Sequence, residues 1–158
     1  MKRYINALFN SPGAFVRIGN KCLNKKIPLI PNLIQFYMRV VFPSCDIPIT
    51  ASIGEGTKFI HRGIGVCVHW GAKIGKNNKI MQNVTIGGRN GRGAPTIGDY
   101  CFIGAGACVL GNIKIGNNVM IGANAVVIND VPDNTVVGGI PAKYIKNVDA
   151  DLIDRYKE

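Results

Sequence analysis

From residue 47 onward the chain counts in sixes. An aliphatic or aromatic residue stands at Ile47, Ile53 and Phe59, then at Val68, Ile74, Ile80 and Ile86, then at Ile97, Ile103, Val109, Ile115, Ile121 and Val127. Glycine follows it at Ile53, Ile74, Ile86, Ile97, Ile103, Ile115 and Ile121, and the fourth residue after it is often small or aliphatic, as at Thr57, Ala72, Val84, Cys101, Ala107, Ile113, Val119, Ala125 and Val131. This is no helical period. β-Branched residues with regular glycines predict short strands separated by tight turns, and such hexapeptide arrays stack coil upon coil around one continuous core. The expected class is therefore all-β, a parallel β-helix of about four to five triangular coils. Spacing leaves its handedness open.

The register breaks twice. After Phe59 the next core position comes nine residues later, so "HRGIG" holds three extra residues; after Ile86 it comes eleven later, so "GGRNGRGAPT" bulges from a coil edge. Irregular loops on a rigid scaffold are where sites concentrate. With about 18 residues per coil, the chain leaving Asp46 should return to the same corner near residue 64, beside His61.

The residues before the repeat have another character. Leu33, Ile34, Tyr37, Met38 and Val41 recur at helical spacing and predict an amphipathic helix. Three segments follow: a basic, partly amphipathic helical segment 1–45, the β-helix 46–142 with the loop 87–96, and a C-terminal tail 143–158. Charge sharpens that division. Lys2, Arg3, Arg17, Lys21, Lys25, Lys26 and Arg39 precede Asp46 with no acidic residue among them, in a chain of net charge +10. The apolar stretch "IPLIPNLIQFYMRVVF" contains Pro28, Pro31 and Arg39 and falls short of the roughly 20 residues that cross a bilayer. Two readings stay open: segment 1–45 packs on its own domain or a neighbouring subunit, or it makes peripheral contact with an anionic membrane surface. No aromatic platform or motif points to nucleic acid. Cys22, Cys45, Cys67, Cys101 and Cys108 form no CxxC, and no secretory h-region is seen, so reduced, packed thiols and a cytoplasmic location are expected, extending to the inner membrane face if the basic segment lies there.

The stretches "DIPITASIGEGTKFIHRGIGVCV", "GAKIGKNNKIMQNVTIGGRNG" and "PTIGDYCFIGAGACVLGNIKIGNNVMIGANAVVINDVPDNTVVGGIPAKYI" resemble the hexapeptide-repeat acyltransferases, specifically their serine acetyltransferase branch. With its short basic N-terminus the chain is also similar to the O-acetyltransferases of bacterial exopolysaccharide and capsule biosynthesis, of the colanic-acid type. The resemblance implies a left-handed β-helix, acetyl-CoA as donor, no required metal, and a homotrimer with coenzyme A grooves between subunits. It implies a catalytic dyad of Asp46 and His61. An acceptor hydroxyl must lose its proton as it attacks a thioester, and imidazole, with an unperturbed pKa of about 6.5, suits the general base, the carboxylate holding its tautomer. Backbone N–H groups near Gly87 would stabilise the oxyanion. Gly87, Ala105 and Ala123 match positions that let the pantetheine arm lie against backbone, and Lys143 matches a cation near the nucleotide end. His69 lacks such a context and reads as a packed or rim side chain.

The departures bear on the acceptor. Serine acetyltransferases place an acid directly before the catalytic histidine and an Arg-His pair before the proline that re-enters the helix, and these positions are Ile60, Gly93 and Ala94 here. A basic family position shortly before "IGAN" is Met120. A site without charged partners for a zwitterion should bind something else. The expected acceptor is therefore a sugar hydroxyl in capsule or exopolysaccharide biosynthesis, with serine as the alternative. Arg62, Arg89 and Arg92 either contact a phosphate or acidic sugar or are solvated. A xenobiotic acetyltransferase and a non-catalytic β-helix scaffold are the remaining readings, whereas a γ-type carbonic anhydrase needs three histidine ligands and the chain has 2 histidines.

Overall fold

A computed structural model describes residues 11–27, 29–91 and 93–149. Two helices, α1 (Pro12–Asn24) and α2 (Ile30–Val41), precede the strands β1 (Ser52–Ile53), β2 (Lys58–Phe59), β3 (Cys67–Val68), β4 (Lys73–Ile74), β5 (Lys79–Ile80), β6 (Thr85–Gly87) and β7 (Thr96–Ile97). These continue as β8 (Phe102–Ile103), β9 (Cys108–Leu110), β10 (Lys114–Ile115), β11 (Met120–Ile121), β12 (Val126–Val127), β13 (Thr135–Gly138) and β14 (Lys143–Asn147). They form three sheets: face one is β1-β4-β7-β10, face two is β2-β5-β8-β11-β13-β14, and face three is β3-β6-β9-β12. The chain visits the faces in that order on each turn, with parallel pairing between coils, as a left-handed β-helix.

Each six-residue core position found in the sequence is at most 7% exposed. Of the small or aliphatic residues four places on, all are buried except Ile113, which is half-buried at a groove. A fully buried isoleucine contributes roughly 2–3 kcal/mol through the apolar area it removes from water, so this stack is the main source of stability.

Coil length is not uniform. Ser52 pairs with Lys73, a step of 21 residues; Lys73 pairs with Thr96, a step of 23; Thr96 pairs with Lys114, a step of 18. The expectation that residue 64 lies opposite Asp46 is therefore corrected. Asp46 bridges to Cys67, because the three extra residues after Phe59 are absorbed at the corner and the strands keep their register. At the start of the tail, β14 folds back antiparallel on β13, and residues 150–158 lie outside the described residues.

The corner between faces one and two is built by glycine. Gly54, Gly75, Gly98 and Gly116 stack there, and a Cβ on Gly98 would lie 2.7 Å from the Gly116 carbonyl oxygen and 2.6 Å from Asn117 Oδ1. Side chains then tie coil to coil: the Lys76 N–H donates to Asp99 Oδ1 (2.7 Å), the Asp99 N–H to Asn117 Oδ1 (2.8 Å), and the Asn117 N–H to Asp133 Oδ1 (2.8 Å). Asn78 is fully buried, accepting from the Cys101 N–H (2.6 Å) and donating through Nδ2 to the Gly98 carbonyl (3.0 Å). Asn78→Ala would leave that N–H and that carbonyl without partners, so it is expected to lower unfolding free energy by about 2–3 kcal/mol in urea titrations. A loss below about 0.5 kcal/mol would contradict this account of the corner.

The helices close the N-terminal end of the solenoid. Proline in the first turn of each suits a position whose N–H has no helical partner. Val16 is buried, Gly19 lets α1 approach so closely that a Cβ would lie 2.9 Å from Ile49 Cγ2, and Phe15 meets Tyr37 of α2 at 5.0 Å between ring centroids. Gln35 Oε1 accepts from the Ile49 N–H at 3.0 Å, pinning α2 to the first coil. Met38, Ile34 and Tyr37 thus face the protein's own domain, while Leu33, expected on the same apolar face, is 64% exposed.

Candidate active site

The three extra residues between faces two and three make a short 3-10 turn, Ile60–Gly63. His61 (φ 52°) and Arg62 (φ 59°) are both left-handed, followed by Gly63 (φ 73°) and Gly65 (φ 68°). Consecutive non-glycine residues in this region cost energy and persist only where their surroundings impose them. The restraints are visible. A Cβ on Gly63 would meet Pro12 Cγ at 3.4 Å and Cys45 Cβ at 3.7 Å, the Gly65 N–H donates to the Ser44 carbonyl (2.7 Å), and the Arg62 guanidinium lies 5.4 Å from the centroid of the Phe42 ring. The turn that presents His61 is thus pressed against residues 42–45, next to Asp46. Both His61 and Asp46 are exposed. Among the described residues they share no ion pair.

Asp46 also sits between two thiols. Burial first, then the Asp46 charge, raise the Cys45 thiol to about 11 and push Cys67 upward as well. Cys67 is exposed and only Cys101 is buried, so the expectation of uniformly packed thiols is corrected; all five are free. Asp46→Asn removes the second cause, so more thiolate forms at a given pH. Alkylation of Cys67 at pH 8 is expected to speed up about twofold or more, followed by mass spectrometry. An unchanged rate would mean that the carboxylate does not face that thiol.

Above the His61 turn the same corner repeats in every coil. The Asn83 N–H donates to the Ile64 carbonyl (2.9 Å), the Gly106 N–H to the Gln82 carbonyl (3.0 Å), and the Asn124 N–H to the Ala105 carbonyl (2.8 Å). Ile64, Gln82, Ala105 and Ala123 therefore form one row. The turn after β13 caps it, with the Val126 N–H donating to the Gly139 carbonyl (3.0 Å) and the Ala142 N–H to the Val126 carbonyl (2.8 Å), which places exposed Lys143 at the upper end. Four steps between coils amount to about 19 Å.

Gly87 is not part of this row. It pairs with Leu110 on face three, five residues beyond Ala105, at the edge where the 87–96 loop leaves the solenoid. That loop and the next corner enclose a groove of about 540 Å³ lined by Arg89, Asn90, Gly93, Leu110, Asn112 and Ile128. The groove lies at the far edge of face three from His61. His69 stands by the start of that loop, where a Cβ on Gly88 would lie 3.6 Å from its ring, and is half-buried, its Nδ1 accepting from the Gly71 N–H (3.0 Å) and its ring 5.1 Å from that of Trp70. Ile60 is half-buried, Gly93 is exposed, and Ala94 packs on the core; Arg92 lies outside the described residues. Met120 sits on face two between Phe102 and Val136.

Sequence reasoning missed Gln82. Its Oε1 is buried without a hydrogen-bond partner among the described residues, an uncommon state for a polar atom. The signal was present: Gln82 holds the same place in its hexapeptide as Ala105 and Ala123.

The repeat and its corners define a protein of the hexapeptide-repeat β-helix class, and residues 94–129 match the bacterial transferase hexapeptide family (six repeats). More particularly, the chain is similar to serine acetyltransferases. It is 38% identical over 143 residues to serine acetyltransferase of Synechococcus elongatus, covering 87% of this chain and 58% of the relative. Soybean serine acetyltransferase complexed with serine superposes with a TM-score of 0.76 at 38% identity, covering 84% of this chain and 55% of that one. A serine acetyltransferase in complex with CoA superposes with a TM-score of 0.73 at 34% identity, covering 84% and 54%. The chain thus spans little more than half the length of these relatives. Among the described residues no cluster of metal-ligating side chains occurs.

Proposed function

We propose that this chain is an acetyl-CoA-dependent O-acetyltransferase, with His61 as general base, Asp46 as its orienting carboxylate and the hydroxyl of serine as acceptor. The row from the His61 turn through Gln82, Ala105 and Ala123 to Lys143 is the observation that carries the donor half. Its residues fit a long, narrow pantetheine arm: two alanines leave the backbone approachable, the half-buried Gln82 side chain, whose Oε1 has no partner, would have to turn outward to accept from an amide N–H, and Lys143 offers a cation to phosphate. Acetyl-CoA supplies an activated thioester. The chain's own part is to hold that thioester near the left-handed turn and to take the acceptor proton at the His61 imidazole.

A trimer with neighbouring solenoids side by side is part of this reading. It is supported by face three, whose outward side chains Thr85, Cys108, Val126, Leu110 and Ile128 are half-buried and mostly apolar. Such packing would set the Gly87 edge and its groove in one protomer against the His61 corner of the next.

The acceptor is read from the relatives, which are serine acetyltransferases; the comparisons give the saccharide acceptor no support. A sugar hydroxyl is the second reading, favoured by the uncharged Ile60, Gly93 and Ala94, where a bound ammonium and carboxylate would need partners. Thiol release from acetyl-CoA, measured in parallel with serine and with nucleotide sugars, decides between them. Serine turnover with kcat/KM near 10⁴ M⁻¹s⁻¹ or above is expected, the ordinary range for enzymes. Turnover of a sugar alone would replace serine by the second reading, and no thiol release with either would sink the proposal.

A further inference from the structure

We propose that the outer face of α2 is a docking surface for an anionic lipid bilayer. α2 has two apolar faces. The inner one, with Met38 and Ile34, packs on the protein itself, whereas Leu29, Leu33, Phe36 and Val40 point outward and are 73%, 64%, 68% and 63% exposed. Their spacing of four, three and four residues lines them along a single stripe, extending from the N-cap to the last turn. A folded protein rarely leaves aliphatic and aromatic residues exposed in one continuous line without a use.

Charge selects the occupant. Lys25 and Lys26 flank the stripe at one end and Arg39 at the other, all exposed, and no acidic residue occurs before Asp46 to offset them. An apolar stripe flanked by cations and by no acidic residue of its own segment suits the boundary between acyl chains and anionic headgroups, where side chains such as Phe36 enter the apolar layer and the lysines stay among the phosphates. No helix among the described residues is long and apolar enough to cross a membrane. The contact is therefore peripheral, made by a helix that lies on the surface while its inner face stays fastened to the solenoid by Gln35 and Met38. This inference stands apart from acetyl transfer, because α2 closes the end of the solenoid and contributes no side chain to the row above His61.

Flotation of the full chain with phosphatidylcholine vesicles, with and without phosphatidylglycerol, tests it. Binding is expected only with the anionic lipid, weakening with salt. Lys25→Gln and Lys26→Gln should each weaken it about fivefold. Leu33→Ser with Phe36→Ser should weaken it at least tenfold, while leaving circular dichroism and coenzyme A binding unchanged because both residues are exposed. Absence of binding to anionic vesicles at low salt would overturn the proposal. So would an unchanged affinity in the Leu33/Phe36 variant, or a change in its oligomeric mass alone, which would assign the stripe to a second copy of the chain.

Discussion

Replacing His61 with asparagine is expected to lower kcat for acetyl transfer by about 10²–10⁴-fold, the usual contribution of a positioned general base. Asparagine is the informative substitution because it tolerates the left-handed conformation that His61 adopts at φ 52°. The turn should keep its shape, and the variant should differ from the parent only in lacking a basic imidazole. The row proposed to hold the donor lies above the turn and is untouched, so the KM for acetyl-CoA should stay within about twofold. Unfolding free energy should change by no more than about 0.5 kcal/mol for an exposed residue replaced without strain. Activity within tenfold of the parent would remove His61 from the mechanism.

The second large effect concerns stability. Gly98→Ala is expected to destabilise the chain by about 3 kcal/mol or more, because the new methyl must displace backbone rather than a yielding side chain. Its Cβ would sit 2.7 Å from the carbonyl oxygen of Gly116, and Gly98 lies in the middle of the stack, with a coil pressing from either side. The hydrogen bond from the Asn78 amide to the Gly98 carbonyl would be lost in the same movement. Gly91→Ala is the contrast: nothing lies within 4 Å of its Cβ, so only its left-handed φ of 69° opposes the change, at about 1 kcal/mol. Equal losses in the two variants, measured by thermal or urea unfolding, would show that the glycine corner owes its sequence to conformation alone and not to close packing.

The fold was legible because a solenoid makes sequence period and structural period the same thing: Ile86, Val109 and Val127 stack on face three, and each marks its coil in the sequence. What could not be read was the height at which residues meet across coils of unequal length. Assuming uniform coils put Asp46 opposite residue 64 rather than Cys67, since insertions add residues at a corner without revealing whether the strands slip. Where a motif marked a candidate, as at His61, the structure sets that residue on a left-handed turn beside the first coil. The sequence was opaque at Gln82, whose meaning depends on its neighbours in the row, and at α2, where periodicity shows that a helix is amphipathic but not that it carries a second apolar stripe.

Coils of 21, 23 and 18 residues share one solenoid, and they do so by placing their surplus at two different corners. A strand in such a stack answers only to the strand above and the strand below. Length added between strands therefore leaves the pairing of the strands unchanged, much as a longer tread leaves the pitch of a staircase unchanged. The 87–96 loop can accordingly be lengthened, shortened or exchanged without disturbing the row that runs upward from His61. In such a scaffold a loop can change its length and sequence while the stacked corner beside it within the same chain is inherited unchanged.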